Sequence, residues 1–217
     1  MRILVTGANG FIGAEVCRRA VEAGHEVVGL ARRGRPAGAA GWMERVEWAA
    51  GDVLEPATWR QHLAGCGAVI HCVGIIREDA RRGATFERIN GDSAITAAEE
   101  AERAGVGAFV FISASSQPPL VGAGYLRAKR RAEAGIRELG TRSVILRPGF
   151  VFGSARLPSL PAAAVIRLAT HLPVVGAGAR ESRPLNVETV ARATVRAAAD
   201  ERVSGVLDVD AIERLGS

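Results

Sequence analysis

A chain of 217 residues, 48% of them apolar, is long enough to bury one full hydrophobic core. It has no uncharged apolar run of about 18 residues, so no membrane span is expected, and Met1-Arg2-Ile3 reads as the start of a strand rather than a signal peptide. The net charge is +5, but the arginines are spread along the chain rather than gathered in one tract, which makes a nucleic-acid surface the less favoured reading.

The elements follow in chain order. Residues 2–6 form a short apolar strand, then come Gly7-Ala8-Asn9-Gly10-Phe11-Ile12-Gly13 and a helical run over 11–23 that stops at Gly24. A second strand covers 26–31. Strand, glycine-rich turn, helix and strand within about 30 residues form a dinucleotide-binding pattern. Gly7 allows the tight turn, Gly10 lets a diphosphate approach the backbone, and Gly13 lets helix and strand pack closely. The helix N-terminus favours the phosphate charge. Residues 32–42, rich in glycine and proline, read as a surface loop. It opens with Arg32 and Arg33, where an NAD-preferring fold would carry a carboxylate for the ribose 2′-hydroxyl. Guanidinium groups suit a phosphate there, so NADP(H) is expected, with NAD(H) as the alternative.

Further strands are expected at 46–50, 68–72, 108–113 and 143–147, with helices near 56–64, 85–104 and 125–139. Residues 148–185 hold five of the nine prolines and should be irregular, with one helix near 159–170. A helix over 187–199, with Asn186 as a plausible N-cap, and a strand at 205–209 complete the chain. The alternation specifies an α/β Rossmann-type, doubly wound parallel sheet with helices on both faces. Residues 1–150 form the nucleotide-binding domain, and 151–217 a small substrate-side region integrated with it.

Tyr125 is the single tyrosine and Lys129 the single lysine among 28 basic Lys and Arg residues. At i and i+4 of a helix their side chains share a face. A nearby ammonium is expected to lower the phenol from its ordinary pKa of ~10, giving a proton-transferring group usable near neutral pH. The three cysteines, Cys17, Cys66 and Cys72, are odd in number and lack metal-ligand spacing. They read as buried thiols in a reducing cytoplasm, and no metal site is expected. His71, after an apolar strand, reads as a satisfied backbone neighbour rather than a catalytic group.

Several motifs together resemble the extended and atypical short-chain dehydrogenase/reductase superfamily, the NAD-dependent epimerase/dehydratase group. They are Thr6-Gly-x-x-Gly-Phe-Ile-Gly13, Gly51-Asp52-Val53, His71-Cys-Val-Gly74, Arg88-Ile-Asn-Gly, Tyr125-x-x-x-Lys129 and Arg147-Pro-Gly-Phe-Val-Phe-Gly153. The run Val73-Gly-Ile-Ile-Arg-Glu78 resembles a narrower branch, bacterial relatives of the NAD(P)-binding accessory subunit of respiratory complex I. The resemblance implies that Gly7, Asn9, Gly10, Phe11, Ile12 and Gly13 hold the diphosphate, and that Asp52 and Val53 lie by the adenine. It further implies that Cys72, Val73, Gly74, Asn90 and Ser113 line the cofactor and that Pro148 and Val151 flank the nicotinamide. Tyr125 would transfer the proton, with Lys129 on the ribose hydroxyls. In the family a Ser or Thr at the end of the fifth strand binds the reacting oxygen. Ala114 falls on that slot here, and Ser115 or Ser116 would have to replace it.

Three functions follow from this reading. The first is an NADP-dependent oxidoreductase or epimerase acting on a small carbonyl or hydroxyl compound. The second is an inert cofactor-bound scaffold or redox sensor, and the third, more remote, a nucleic-acid-associated protein. A monomer or homodimer is expected.

Overall fold

The computed structural model describes residues 1–38, 40–118, 121–153 and 183–217. Seven strands form one parallel sheet. They are β1 (Arg2–Thr6), β2 (Glu26–Ala31), β3 (Val46–Ala50), β4 (Cys66–His71), β5 (Ala108–Ile112), β6 (Arg142–Leu146) and β9 (Gly205–Leu207). Their order is β3-β2-β1-β4-β5-β6-β9. Strand order reverses between β2-β1 and β1-β4, and open sheets of this kind bind ligands beyond the strand ends at such a crevice.

Alternation along each strand divides the core into two layers. Ile3, Val5, Ala68, Ile70, Val110 and Val144 face one side. There they meet α1 (Phe11–Glu22) and α4 (Val187–Ala199), through Val16, Ala20, Val190 and Ala191. Leu4, Val28, Val69, Phe109, Phe111 and Ile145 face the other. That layer is closed by α2 (Ser93–Arg103) and α3 (Gly124–Arg137), through Ala97, Ala101, Ala132 and Ile136. Fully burying a Val, Leu, Ile or Phe side chain contributes about 1.5–3 kcal/mol. Small alanines on α2 and α3 let the helices approach the phenylalanines of β5.

Residues 183–217 join this same core. Arg142 of β6 donates to the carbonyls of Ala197, Ala198, Asp200 and Val203, closing the end of α4 onto the sheet. α5 (Val209–Gly216) follows β9. A two-stranded parallel pair, β7 (Val151–Phe152) with β8 (Leu185–Asn186), links the exit of β6 to α4. The Asn186 side chain accepts from the Glu188 N–H at 2.9 Å, the cap expected for α4.

Three expectations need correction. The helix expected over 56–64 is two 3-10 turns, Pro56–Thr58 and Arg60–Leu63. Buried Trp59 separates them in an extended φ of −144°, its indole donating to the Val53 carbonyl. The segment 85–104 is not one α-helix, because Glu87–Asp92 is a π-helical turn ahead of α2. The strand expected over 205–209 ends at Leu207, because the Asp208 carboxylate accepts the Ala211 N–H at 2.8 Å and starts α5. The helix expected near 159–170 lies outside the described residues.

Candidate active site

The glycine-rich turn forms as its residues require. Gly7 has φ +71°, and a Cβ on it would stand 3.0 Å from the backbone of Cys72 and Val73 at the exit of β4. A Cβ on Gly13 would stand 2.2 Å from the Gly7 carbonyl oxygen, so glycine alone permits α1 to sit this close to β1. The Gly10 N–H donates to the Gly7 carbonyl at 2.8 Å. No side chain caps the amino end of α1, and its first turn holds no acidic residue. Such a helix end attracts an anion. The Asn9 amide donates to the Gly34 carbonyl at 3.0 Å, which ties this turn to the loop after β2. In that loop Arg32 and Arg33 are exposed. Asp52 accepts the Leu54 N–H at 3.0 Å and shapes the exit of β3, with Val53 buried beside it.

A cavity of about 380 Å³ opens beside the turn. Among its walls are Gly10, Phe11 and Ile12 from the turn, Cys72, Val73 and Gly74 from the β4 exit, Ser113 and Ser116 from the β5 exit, and Pro148 and Val151 from the β6 exit. Tyr125 and Lys129 of α3 complete it. Four strand exits and one helix face therefore converge on a space of ligand size.

Lys129 is 4% exposed. Its Nζ donates to the Ile112 carbonyl at 2.8 Å and lies 4.6 Å over the ring of Phe111. Burial draws its pKa down to about 8, against partial opposition from Cys72 and Glu133. A Cβ on Gly74 would stand 3.4 Å from this Nζ, so glycine there keeps the ammonium open to the cavity. Asn90, in the π-helical turn, clamps the same loop. It accepts the Ile75 N–H at 2.7 Å and donates to the Ile75 carbonyl at 2.9 Å.

The Tyr125 ring stands edge-on to Phe86, with centroids 5.7 Å apart. Contrary to the sequence expectation, its pKa is raised, because burial outweighs the cationic influence. The cation that offsets burial is Arg130.

The serines divide in a way the sequence left open. The Ser113 hydroxyl donates to Glu133 at 2.5 Å. Ala114 lines the cavity as a methyl group. The Ser115 oxygen is buried, has no hydrogen-bond partner and lies outside the cavity wall, so its assignment as the substitute donor loses its geometric basis. Ser116, the next residue, reaches the wall.

Sequence reasoning missed an ion cluster behind this wall. Glu133 is wholly buried. It accepts Nε of Arg147 at 3.0 Å and pairs with Nη2 of Arg147 and with Arg130. Its pKa is lowered: burial would raise it, but the bonds from Arg147 and Ser113 and the two guanidinium charges prevail. The signal available in the sequence was Glu133 at i+4 from Lys129.

His71 behaves as expected of a satisfied core residue. Its Nδ1 lies 2.9 Å from the Thr6 hydroxyl and its Nε2 3.2 Å from that of Ser93. Ser93 commits its proton to the Ile89 carbonyl at 2.6 Å, so Nε2 carries the imidazole proton and Nδ1 accepts from Thr6. Burial holds its pKa down at about 3, helped by the Lys129 charge, so the ring is neutral. Among the described residues no cluster of His, Cys, Asp and Glu could hold a metal ion, and no helix is long and apolar enough to cross a membrane.

Comparison with known proteins gives a consistent family. An uncharacterised chloroplastic protein of Arabidopsis thaliana is 31% identical over 98% of this chain and 76% of its own length. A ceramide reductase of Caulobacter vibrioides is 29% identical over 99% of this chain and 66% of its own. Among solved structures, a short-chain dehydrogenase/reductase superfamily protein from Agrobacterium tumefaciens with bound NAD superposes with a TM-score of 0.70. It shares 18% identity, over 99% of this chain and 81% of that one. The UDP-glucuronic acid 4-epimerase of Bacillus cereus, in complex with NAD, gives 0.67 at 20% identity, over 96% and 77%. Both establish the likeness of fold. Residues 3–208 match the family model for the NAD dependent epimerase/dehydratase family, and the chain therefore belongs to that family.

Proposed function

We propose that this protein is an NADP(H)-preferring oxidoreductase acting on a small carbonyl or hydroxyl compound. The observation that carries the proposal is the convergence of the single tyrosine and the single lysine on the cavity that the glycine-rich turn also lines. The residues fit a dinucleotide. The turn leaves a cradle that a Cβ at Gly10 would crowd, since it would stand 3.0 Å from the Gly7 carbonyl. The uncapped end of α1 suits a diphosphate. Arg32 and Arg33 are exposed, form no ion pair among the described residues and lie in the loop that Asn9 holds, which supports a 2′-phosphate. Asp52 and Val53 would border the adenine, and Cys72, Val73, Gly74, Asn90, Pro148 and Val151 the nicotinamide half.

When bound, the nicotinamide supplies or accepts the hydride. Tyr125 then donates a proton to the substrate oxygen, or accepts one from it. Lys129 places positive charge beside that exchange and offers donors to the ribose hydroxyls. The apolar walls, Ile75, Ile112, Ala114 and Phe150, exclude water from it. The free cysteines support a reducing compartment such as the cytoplasm.

A second reading, a cofactor-loaded scaffold with little turnover, draws on Ala114 and Ser115. The methyl group and the buried hydroxyl leave one fewer donor for a developing oxyanion, a loss of about 10²–10³ in rate. A nucleic-acid role has less support, because Arg18, Arg19, Arg103, Arg131 and Arg183 are committed to ion pairs with carboxylates. Titrating NADPH and NADH, then screening carbonyl compounds with the parent and Tyr125→Phe, tests the proposal. NADPH binding with turnover lost only in the variant supports the oxidoreductase. Binding with no turnover in either supports the scaffold, and binding of neither nucleotide defeats both.

A further inference from the structure

The buried carboxylate of Glu133 joins two walls of the cavity. On the β5 side it accepts from the Ser113 hydroxyl and pairs with Arg130. Arg130 in turn donates to the carbonyls of Ala114 at 2.9 Å and Ser115 at 3.2 Å. On the β6 side Glu133 holds both Nε and Nη2 of Arg147, one residue before the wall formed by Pro148. The Ser115 N–H closes the ring by donating to the Pro148 carbonyl at 2.9 Å. Three consecutive residues, including the alanine where the family has a hydroxyl, are thus fixed by one guanidinium. That guanidinium leaves α3 five residues after Tyr125.

We propose that Arg130 and Glu133 are a positioning pair, which braces the β5 and β6 exits around Tyr125 and sets the net charge that its phenol meets. The inference rests on Tyr125 being the proton-transferring group. Lys129 is directed to the Ile112 carbonyl and the Phe111 face, so it does not fill this role alone. Arg130 is the cation that counters the effect of burial on the phenol. Among the described residues, the other ionisable groups around this end of the cavity are Glu133 on α3, Arg147 and Cys72 at the strand exits, and Glu78. Glu78 accepts the N–H of Phe86, the ring that Tyr125 abuts. Arg127 is drawn away toward Glu87, at 3.6 Å.

With a single tyrosine in the chain, ¹³Cζ NMR reads the Tyr125 ionisation directly, in the absence of nucleotide and with folding followed by circular dichroism at each pH. Arg130→Met should raise the midpoint by roughly half a pH unit or more, because the cation that offsets burial is removed. Glu133→Gln releases the charge of Arg130 and should move the midpoint down. If Arg130→Met does not fold, Glu133→Gln alone should still lower the midpoint, and the double variant, Arg130→Gln with Glu133→Gln, should return it toward the parent. A folded Arg130→Met or Glu133→Gln whose curve superimposes on the parent, a Glu133→Gln midpoint that rises, or a double variant that stays at the Glu133→Gln midpoint overturns the proposal. NADPH affinity of the parent is measured separately. Its absence would defeat the cofactor assignment, and the tyrosine curves would still decide this one.

Discussion

Lys129 makes the active-site electrostatics measurable as stability. Its ordinary pKa of 10.5 is drawn down to about 8, chiefly by burial. At about 1.4 kcal/mol per pH unit, that gap corresponds to roughly 3 kcal/mol. The direction follows from linkage. Below pH 8 the ammonium is charged in both folded and unfolded chains, and the fold bears the full desolvation cost. Between about 8 and 10.5 the unfolded chain binds the proton that the folded chain has released, so the cost is relieved as pH rises. Lys129→Met removes the charge and leaves the Ile112 carbonyl unpaired, at about 1–3 kcal/mol, so the two chains should be close in stability at pH 7. The informative quantity is their difference as a function of pH. In urea denaturation, the parent should gain about 3 kcal/mol on the variant between pH 7.5 and 10.5. A difference that stays flat across that range would refute the claim that the ammonium is desolvated. So would a midpoint near 10.5 for the single lysine, read by ¹³Cε NMR.

His71 should stay neutral to about pH 4, its imidazole shifts constant in NMR while exposed histidines titrate. Because its folded pKa is about 3, stability should decline as pH falls below 6.5, and an imidazole that titrates near 6 would contradict the Thr6–His71–Ser93 arrangement. Gly13→Ala places a Cβ 2.2 Å from backbone, so α1 must move. A loss of about 1–3 kcal/mol in urea denaturation is expected, with weakened NADPH binding, and an unchanged midpoint would refute the packing argument. The double change Arg32→Ser and Arg33→Ser should weaken NADPH at least about tenfold while leaving NADH nearly unchanged, by fluorescence titration. An equal loss for both nucleotides would remove the 2′-phosphate assignment. Asn90→Ala, which frees both backbone bonds of Ile75, should cost about 1–3 kcal/mol and quicken amide exchange over residues 74–76.

The sheet was legible because its strands are near-continuous apolar runs between glycines. Leu4 and Val5, or Phe109 and Val110, belong to opposite core layers, and a strand buried on both faces reads that way. The glycine-rich turn was legible because each glycine answers a backbone contact. What could not be read depended on distant partners. The π-helical turn exists where Asn90 reaches the backbone of Ile75, which no local propensity encodes. The choice between Ser115 and Ser116 turns on Arg130 and the Pro148 carbonyl holding the intervening backbone. The phenol's direction of shift was misread because spacing gives proximity to Lys129 but not the depth of burial. Asp208 could have been recognised as a cap from its position before Val209-Asp210-Ala211.

One face of α1 leans on α4, a helix far along the chain. Val16 and Ala20 share a core layer with Val190 and Ala191, and Arg19 pairs with Glu188 at 2.6 Å. A nascent chain that has emerged only to β6 therefore has α1 packed on its strands but without the cover that α4 gives it. Long-range closure of this kind is slow. The glycine-rich turn at residue 7, although translated well before α4, gains its finished rigidity only once that helix docks.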